Sequence, residues 1–381
     1  ETLQLMDPKK KFYLFKQSET FCAVPWNHIK VEMDGRIVTC VNGQHELGYL
    51  KNNSIEEIVN DWPAQHVRDN TYKEYPNYNC RTCSLQESDT GYKFLRDLYN
   101  PMFKHADIDY SDKTAFQLNA IDLHWSSTCN LKCVTCWAKQ SSAIAQEQGE
   151  PIQHTPDEQA DTIIDLIVSR QHHMKEIYLS GGEPTLIKHN VRLLKQLDKS
   201  IDCTFRVNTN MMFEQNNPVI TELLKFKNVL ITISADATGN RFEYIRREAN
   251  WHKFLNNLQF LKDTHFNIRV NSVFFVASAL YLTDTQKFFH DGYGITDFTI
   301  NQVTMGHTNI QCRNLSQDLK DKCAEKIINH KSDFPCNQNL IGQLDNCLGE
   351  LQNPKEEDYQ PFFESFADRV DVDWRDIFTE L

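Results

Sequence analysis

The stretch Asn119-Ala-Ile-Asp-Leu-His-Trp-Ser-Ser-Thr-Cys129-Asn-Leu-Lys-Cys133-Val-Thr-Cys136 joins a short strand-like run to a loop with three cysteines. From about residue 117 to 305, short apolar runs alternate with helical patterns, with strands expected near 119–126, 175–180, 203–209, 229–235, 267–275 and 296–303. Alternation of this kind predicts parallel strands joined by crossover helices. Thr155-Pro156-Asp157-Glu158 reads as an N-cap, a proline at the first helical position and a capping acid, opening a helix that carries Ile163, Ile164 and Ile167. Six such units predict an α/β chain, either a partial barrel or an open doubly wound sheet. From about 311 onward the pattern turns helical and acidic and ends in Trp374 and Phe378.

Ahead of this region, His28–Met33 and Arg36–Val41 read as strands joined across Asp34-Gly35, a dipeptide suited to a tight turn. Ser54 and Glu57 have capping-box spacing before Ile55 and Ile58. The expected organisation is a small N-terminal segment (1–110), the repeating core (117–310) and a helical C-terminal extension (311–381).

Side chains alternate across a strand, so each predicted strand has two phases. Asp122, His124 and Ser126 share one phase; Tyr178 and Ser180, Arg206, Asn208 and Asn210, Thr232, Ser234 and Asp236, Arg269 and Asn271, and Thr299 and Asn301 do so on the later strands. The apolar phase should face the helices, which leaves the polar phase lining a hydrated interior. His124, Asp122, Tyr178 and Arg269 are the proton-transfer candidates from this set.

Three thiolates as close as Cys129, Cys133 and Cys136 suit one corner of an iron-sulfur cubane and leave one iron open. A structural zinc site closes with four ligands. The C-x3-C-x2-C triplet after the first strand resembles the radical S-adenosylmethionine (SAM) superfamily. That resemblance implies a partial (β/α)6 barrel, a 4Fe-4S cluster with one open iron, bound SAM, and reductive cleavage of SAM to a 5′-deoxyadenosyl radical. Leu179-Ser180-Gly181-Gly182-Glu183-Pro184 looks like the family's GGEP motif, whose glycines allow close backbone approach. Ser234, Asp236 and Arg246 fall in segments similar to the family's S-x-D and Y-I-R motifs, and Asn208 and Asn210 in a third-strand segment that reaches the cofactor. Where the family often has an aromatic residue before the third cysteine, this chain has Thr135, with Trp137 just beyond; both are adenine-contact candidates.

Cys22, Cys40, Cys80 and Cys83 form a C-x12-G-x4-C hairpin followed by C-x2-C. This resembles the SPASM and twitch domains, which implies an auxiliary 4Fe-4S cluster, with zinc as the rival occupant of four thiolates. Such domains usually follow the barrel; here the segment precedes it. Phe21, Pro25, Trp26 and Leu47-Gly48-Tyr49-Leu50 share the resemblance. Cys203, Cys312, Cys323, Cys336 and Cys347 show no close pairing and are expected as buried thiols.

The 381-residue chain carries a formal charge of −12, with acidic residues gathered from Glu350 on, which argues against unaided binding to a phosphate backbone. No apolar run approaches the roughly 18 residues of a membrane span, and residues 1–30 lack a secretory pattern, so a cytoplasmic protein is expected. Twelve cysteines in such a chain suggest ligands and buried thiols, not a disulfide framework. The resemblance implies hydrogen abstraction from a peptide, protein or small polar substrate, with a flavodoxin- or ferredoxin-type electron donor. The alternatives are a non-catalytic iron-sulfur or zinc scaffold and an RNA-modifying enzyme.

Overall fold

The computed structural model describes residues 6–43, 45–75, 77–90, 94–303, 307–367 and 372–381. It is an α/β structure with a mainly parallel, unclosed sheet and a helical C-terminal region. Two compact units are formed: Glu1–Ser127, Gln153–Val207 and Thr221–Val229 make the first, and Thr128–Ile152, Asn208–Ile220 and Leu230–Leu381 the second.

In chain order the strands are β1 (His28–Val31), β2 (Arg36–Val38), β3 (Glu46–Tyr49), β4 (Ala120–Leu123), β5 (Glu176–Leu179), β6 (Thr204–Thr209), β7 (Asn228–Ser234), β8 (Asn267–Phe274) and β9 (Phe298–Gln302). All six strands expected in the repeating region are present, several shorter than anticipated.

Within the first unit, β4, β5 and β6 are parallel neighbours, and β1 pairs with β4, also in parallel. The N-terminal hairpin therefore extends the core sheet, with β2 and β3 added antiparallel on its far side. Without β1, the edge of β4 would carry unpaired amides and carbonyls. Every residue of β1 and β4 is buried, the pattern of strands covered on both faces. Gly35 has a φ of 76° in the turn between β1 and β2, which a side chain would resist. The Ser54 capping box forms as expected: Glu57 N–H donates to Ser54 Oγ (3.2 Å), and Ser54 N–H donates to Glu57 Oε2 (2.8 Å).

One expected cap shifts by a residue. The helix Asp157–Arg170 has Pro156, not Thr155, at its N-cap. The Thr155 hydroxyl instead donates to the carbonyls of Glu32 and Met33, both at 3.4 Å, so a tertiary bond to the hairpin turn replaces the local one.

An aromatic cluster anchors the N-terminal segment. Phe21, Trp26 and Tyr110 are almost fully buried, with ring centroids 5.4–5.9 Å apart. Each such pair contributes about 0.5–1.5 kcal/mol beyond burial. Because Phe21 and Trp26 bracket Cys22, this packing fixes where that cysteine sits. Arg68, 1% exposed, donates to the carbonyls of Pro25, Val59 and Lys113 and secures the same segment.

In the second unit β7, β8 and β9 are parallel neighbours. The helices Gln317–Asp333 and Gln338–Gln352 bury Cys323 and Cys347; Cys312 and, in the first unit, Cys203 are also buried, while Cys336 is partly exposed. Among the described residues, no helix is long and apolar enough to cross a membrane.

Candidate functional site

The Cys129–Cys136 loop lies in the second unit and is held almost wholly by its own backbone. Cys129 N–H donates to Ser142 Oγ (2.9 Å), and the same hydroxyl donates to the Cys129 carbonyl (3.0 Å). Ser141 Oγ donates to the Leu131 carbonyl (2.6 Å) and caps the helix Ser142–Gln148. Cys136 N–H closes a turn onto the Cys133 carbonyl (3.0 Å). Lys132 N–H donates to the Arg247 carbonyl (3.0 Å) and Val134 N–H to the Ile245 carbonyl (2.8 Å), so the loop runs alongside the Tyr244-Ile245-Arg246 segment. Asn210 Nδ2 donates to Asn130 Oδ1 (2.8 Å) and lies 3.9 Å from Cys129 Sγ, which makes it part of the scaffold of this loop.

Arg246 pairs with Asp236 at 2.9 Å, and Asp236 Oδ1 also accepts the N–H of Val273 at 2.7 Å. Both side chains are buried. Burial opposes the charge on Arg246, but Asp236 and the thiolate of Cys133 outweigh it and raise its pKa. The ring of Tyr244 packs between Phe366 and Phe378, at 5.6 and 5.5 Å. Ser234 is half-buried at the end of β7, Asn208 and Thr135 are half-buried, and Trp137 is exposed with His307 6.2 Å away. Arg269 pairs with Asp297 (2.9 Å) near the start of β8.

As free thiols, Cys133 and Cys136 are pushed up to about 12 by burial, with Arg246 pulling the other way on both. Thiolates would not persist at neutral pH in such a place without a cationic centre bound to them. The donor set therefore suits a metal centre.

In the first unit, burial raises Cys22 well above the ordinary thiol range, and Cys80, Cys40 and Cys83 each add to the rise. Burial likewise pushes Cys40 up to about 12 and Cys80 to about 11. The four predicted ligands thus stand close enough to repel one another as thiolates. Cys80 ends the short helix Tyr78–Cys80 and Cys83 lies in the helix Arg81–Thr90, so this pair sits on helical backbone and not in a loop, three residues apart on one face. Asn42 Nδ2 donates to Cys83 Sγ (3.4 Å), Asn79 Nδ2 to Thr39 Oγ1 (2.8 Å), and the Thr39 carbonyl accepts from His28 Nδ1 (2.9 Å).

Among the described residues, no three His, Cys, Asp or Glu side chains converge as one bound metal ion requires.

The Gly181–Pro184 turn is also in the first unit. Gly181 has a φ of 116°, and a Cβ there would fall 2.7 Å from the Ser126 carbonyl oxygen and 3.2 Å from His124 Cδ2. The neighbouring Gly182 N–H donates to that same carbonyl (2.9 Å). Asn190 braces the turn, accepting from Trp125 Nε1 (2.9 Å) and donating to the Pro184 carbonyl (2.9 Å). The Glu183 carboxylate is buried and accepts from the backbone N–H (3.1 Å) and hydroxyl (2.7 Å) of Thr185.

The polar strand phases of this unit are filled by ion pairs. Register places Lys30, Asp122, Tyr178 and Arg206 in one row across β1, β4, β5 and β6. Ser180 Oγ donates to Asp122 Oδ1 (2.6 Å), and the Arg206 guanidinium lies 3.9 Å from the centre of the Tyr178 ring. One layer down, Glu176 accepts from Tyr99 (3.0 Å) and pairs with Arg206 (3.4 Å). Of the four proton-transfer candidates, only His124 has a carboxylate on one ring nitrogen and a second nitrogen both buried and unpartnered: Nδ1 is 3.2 Å from Glu32 Oε2. Burial opposes the Glu32 charge, but His124 and Lys30 outweigh it and draw the carboxyl down to about 2. Glu32 was not foreseen from the sequence; it lies just beyond β1, and only the β1–β4 pairing brings it to His124.

A family model for the radical SAM superfamily matches residues 123–277, and one for the SPASM iron-sulfur cluster-binding domain matches residues 22–84. No curated protein matches the chain. Among solved structures, native anSMEcpe with bound AdoMet is 16% identical, with a TM-score of 0.42, covering 54% of this chain and 57% of that one. Streptococcus suis SuiB bound to S-adenosylmethionine is 14% identical (TM-score 0.45, 84% of this chain and 71% of that one). TYW1 with a lysine-pyruvate adduct is 18% identical (TM-score 0.35, 56% and 71%). The chain thus spans less than two thirds of the length of anSMEcpe.

Proposed function

We infer, because this chain belongs to the radical SAM superfamily and carries an iron-sulfur cluster-binding SPASM domain, that it reductively cleaves S-adenosylmethionine and abstracts a hydrogen atom from a peptide, protein or small polar substrate. The observation that carries this reading is the triplet itself: three half-buried cysteines on a backbone-braced loop, one ligand short of saturating a cubane. When bound, the cluster and SAM supply the radical chemistry. The chain's own part is to hold the three thiolates and shield them from water.

Cys22, Cys40, Cys80 and Cys83 supply four thiolates to a second cluster, which leaves no iron there for substrate. Electron transfer is the role that suits a saturated cluster, with a flavodoxin- or ferredoxin-type protein as external donor. The contacts assigned to Gly181, Gly182, Glu183, Pro184, Asn208, Asn210, Ser234, Asp236, Arg246, Thr135 and Trp137 in holding SAM rest on the family resemblance.

The test is anaerobic reconstitution, addition of dithionite and SAM, and chromatography for 5′-deoxyadenosine. Fully loaded, reduced protein that yields none would refute the assignment. Replacing Cys129, Cys133 and Cys136 together with Ala should abolish the product and remove about four irons while leaving about four on the N-terminal segment.

A further inference from the structure

We propose that Asn42 is a positioning residue for the second cluster: its side-chain amide, aimed at the Cys83 sulfur, raises the reduction potential of the cluster that Cys22, Cys40, Cys80 and Cys83 hold. The inference rests on the assignment of those four thiolates above and adds to it a determinant of how readily that cluster takes up an electron.

The geometry begins in the turn after β2. Gly43 N–H donates to the Cys40 carbonyl (2.9 Å) and closes Cys40-Val41-Asn42-Gly43 into a turn so tight that a Cβ on Gly43 would meet that carbonyl oxygen at 3.1 Å. Both flanks of the turn are tied to one residue. Asn79, 4% exposed, donates from Nδ2 to Thr39 Oγ1 (2.8 Å) and accepts the His45 N–H at Oδ1 (3.0 Å). The Thr39 carbonyl is held in turn by His28 Nδ1 (2.9 Å).

Asn79 directly precedes Cys80, so the turn that carries Cys40 is fixed against the helical backbone that carries Cys80 and Cys83. Between the two anchors, Asn42 Nδ2 reaches Cys83 Sγ at 3.4 Å. A thiolate sulfur only accepts, so the amide nitrogen and not its oxygen must face it. Asn42 thus stands two residues past one ligand and bonds another, joining the hairpin half of the set to the helical half.

Reduction adds negative charge to the cluster, and part of it falls on the ligand sulfurs. An N–H aimed at one of them stabilises the reduced form more than the oxidised one, the more so away from water. Removing the amide should therefore make the cluster harder to reduce. A carboxylate in its place should make it harder still, because two negative charges would then face one another. Asn42 has no positive φ, so Ala can replace it in the turn without backbone strain.

The experiment is a potentiometric titration of the full-length, anaerobically reconstituted protein with dithionite and mediators, read by electron paramagnetic resonance with and without SAM. The triplet's signal is the one that changes when SAM is added; the second cluster's is the SAM-insensitive one. In Asn42→Ala the reduced-to-oxidised ratio of the SAM-insensitive signal at a fixed potential should fall about tenfold, which is about 59 mV for one electron. Asn42→Asp should fall further, Asn42→Gln, which keeps the amide on a longer stem, should lie between Asn42→Ala and wild type, and the SAM-sensitive signal should not move in any variant.

A fully loaded Asn42→Ala protein with an unchanged ratio overturns the proposal, as does an Asn42→Asp ratio above that of wild type. If Asn42→Ala does not hold the second cluster, Asn42→Asp and Asn42→Gln carry the test by themselves; if none of the three holds it, Asn42 serves assembly alone and the proposal fails. Failure of the cluster assignment looks different: wild type would show no SAM-insensitive signal and would bind zinc without labile sulfide.

Discussion

Replacing Gly181 with Ala tests the geometry of the Gly181–Pro184 turn directly. The new Cβ would sit 2.7 Å from the Ser126 carbonyl oxygen, 3.2 Å from His124 Cδ2 and 3.3 Å from Ile187 Cδ1, on a backbone with φ of 116°. The backbone conformation alone costs about 1–3 kcal/mol for a residue with a side chain, and the overpacking about 1–3 kcal/mol more. Relief by moving the carbonyl is blocked, because that oxygen accepts the Gly182 N–H. A loss of about 2–6 kcal/mol is expected, a large part of the total for a typical domain. Gly149→Ala is the control: its φ is 71°, but a Cβ there would meet nothing within 4 Å, so only the conformational cost applies. Urea unfolding of both variants, prepared without cofactor, separates the two contributions. If Gly181→Ala loses no more than Gly149→Ala, the close approach to the Ser126 carbonyl is wrong and the motif's glycine needs another explanation.

Arg206→Met should cost about 3–5 kcal/mol in the same assay, because it leaves Glu176, 4% exposed, without its cation; the double variant with Glu176→Gln should regain part of the loss. His330 is buried against Phe334 with both ring nitrogens unpartnered, and burial, helped by Lys287, lowers its pKa from 6.5 to about 4. Between those values only the unfolded chain takes up the proton, so its contribution is present above about pH 6.5 and fades as pH falls toward 4. His330→Phe should accordingly flatten the loss of urea resistance between pH 7 and pH 5 by about 2 kcal/mol. Cys40→Ala should lower iron content by up to about four per chain while the triplet's SAM-sensitive signal survives.

The features that could be read from the sequence are those set by local pattern. The strands from β4 to β9, the Ser54 capping box and the turn at Asp34-Gly35 follow from alternation and turn chemistry within a few residues. What escaped is set by pairing across distance. Nothing near His28–Val31 announces that β1 runs parallel to β4, and hence nothing announces that Glu32 meets His124. The polar phases are expected to line water, whereas in the first unit Lys30 pairs with Glu32, Asp122 accepts from Ser180, and Arg206 pairs with Glu176 and lies over the Tyr178 ring. Thr155 looked like a cap because its local neighbours suit one, but its hydroxyl found better acceptors on the hairpin. The Cys80 and Cys83 spacing fits a loop and a helical turn equally well, and the helix takes it.

The packing of Tyr244 between Phe366 and Phe378 also sets an order of events during synthesis. Strands and helices through β9 can leave the ribosome and begin to collapse, but Arg246 stands on a segment whose aromatic supports emerge more than a hundred residues later. Until then the segment to which the cysteine loop is hydrogen-bonded lacks the rings that hold Tyr244 in place.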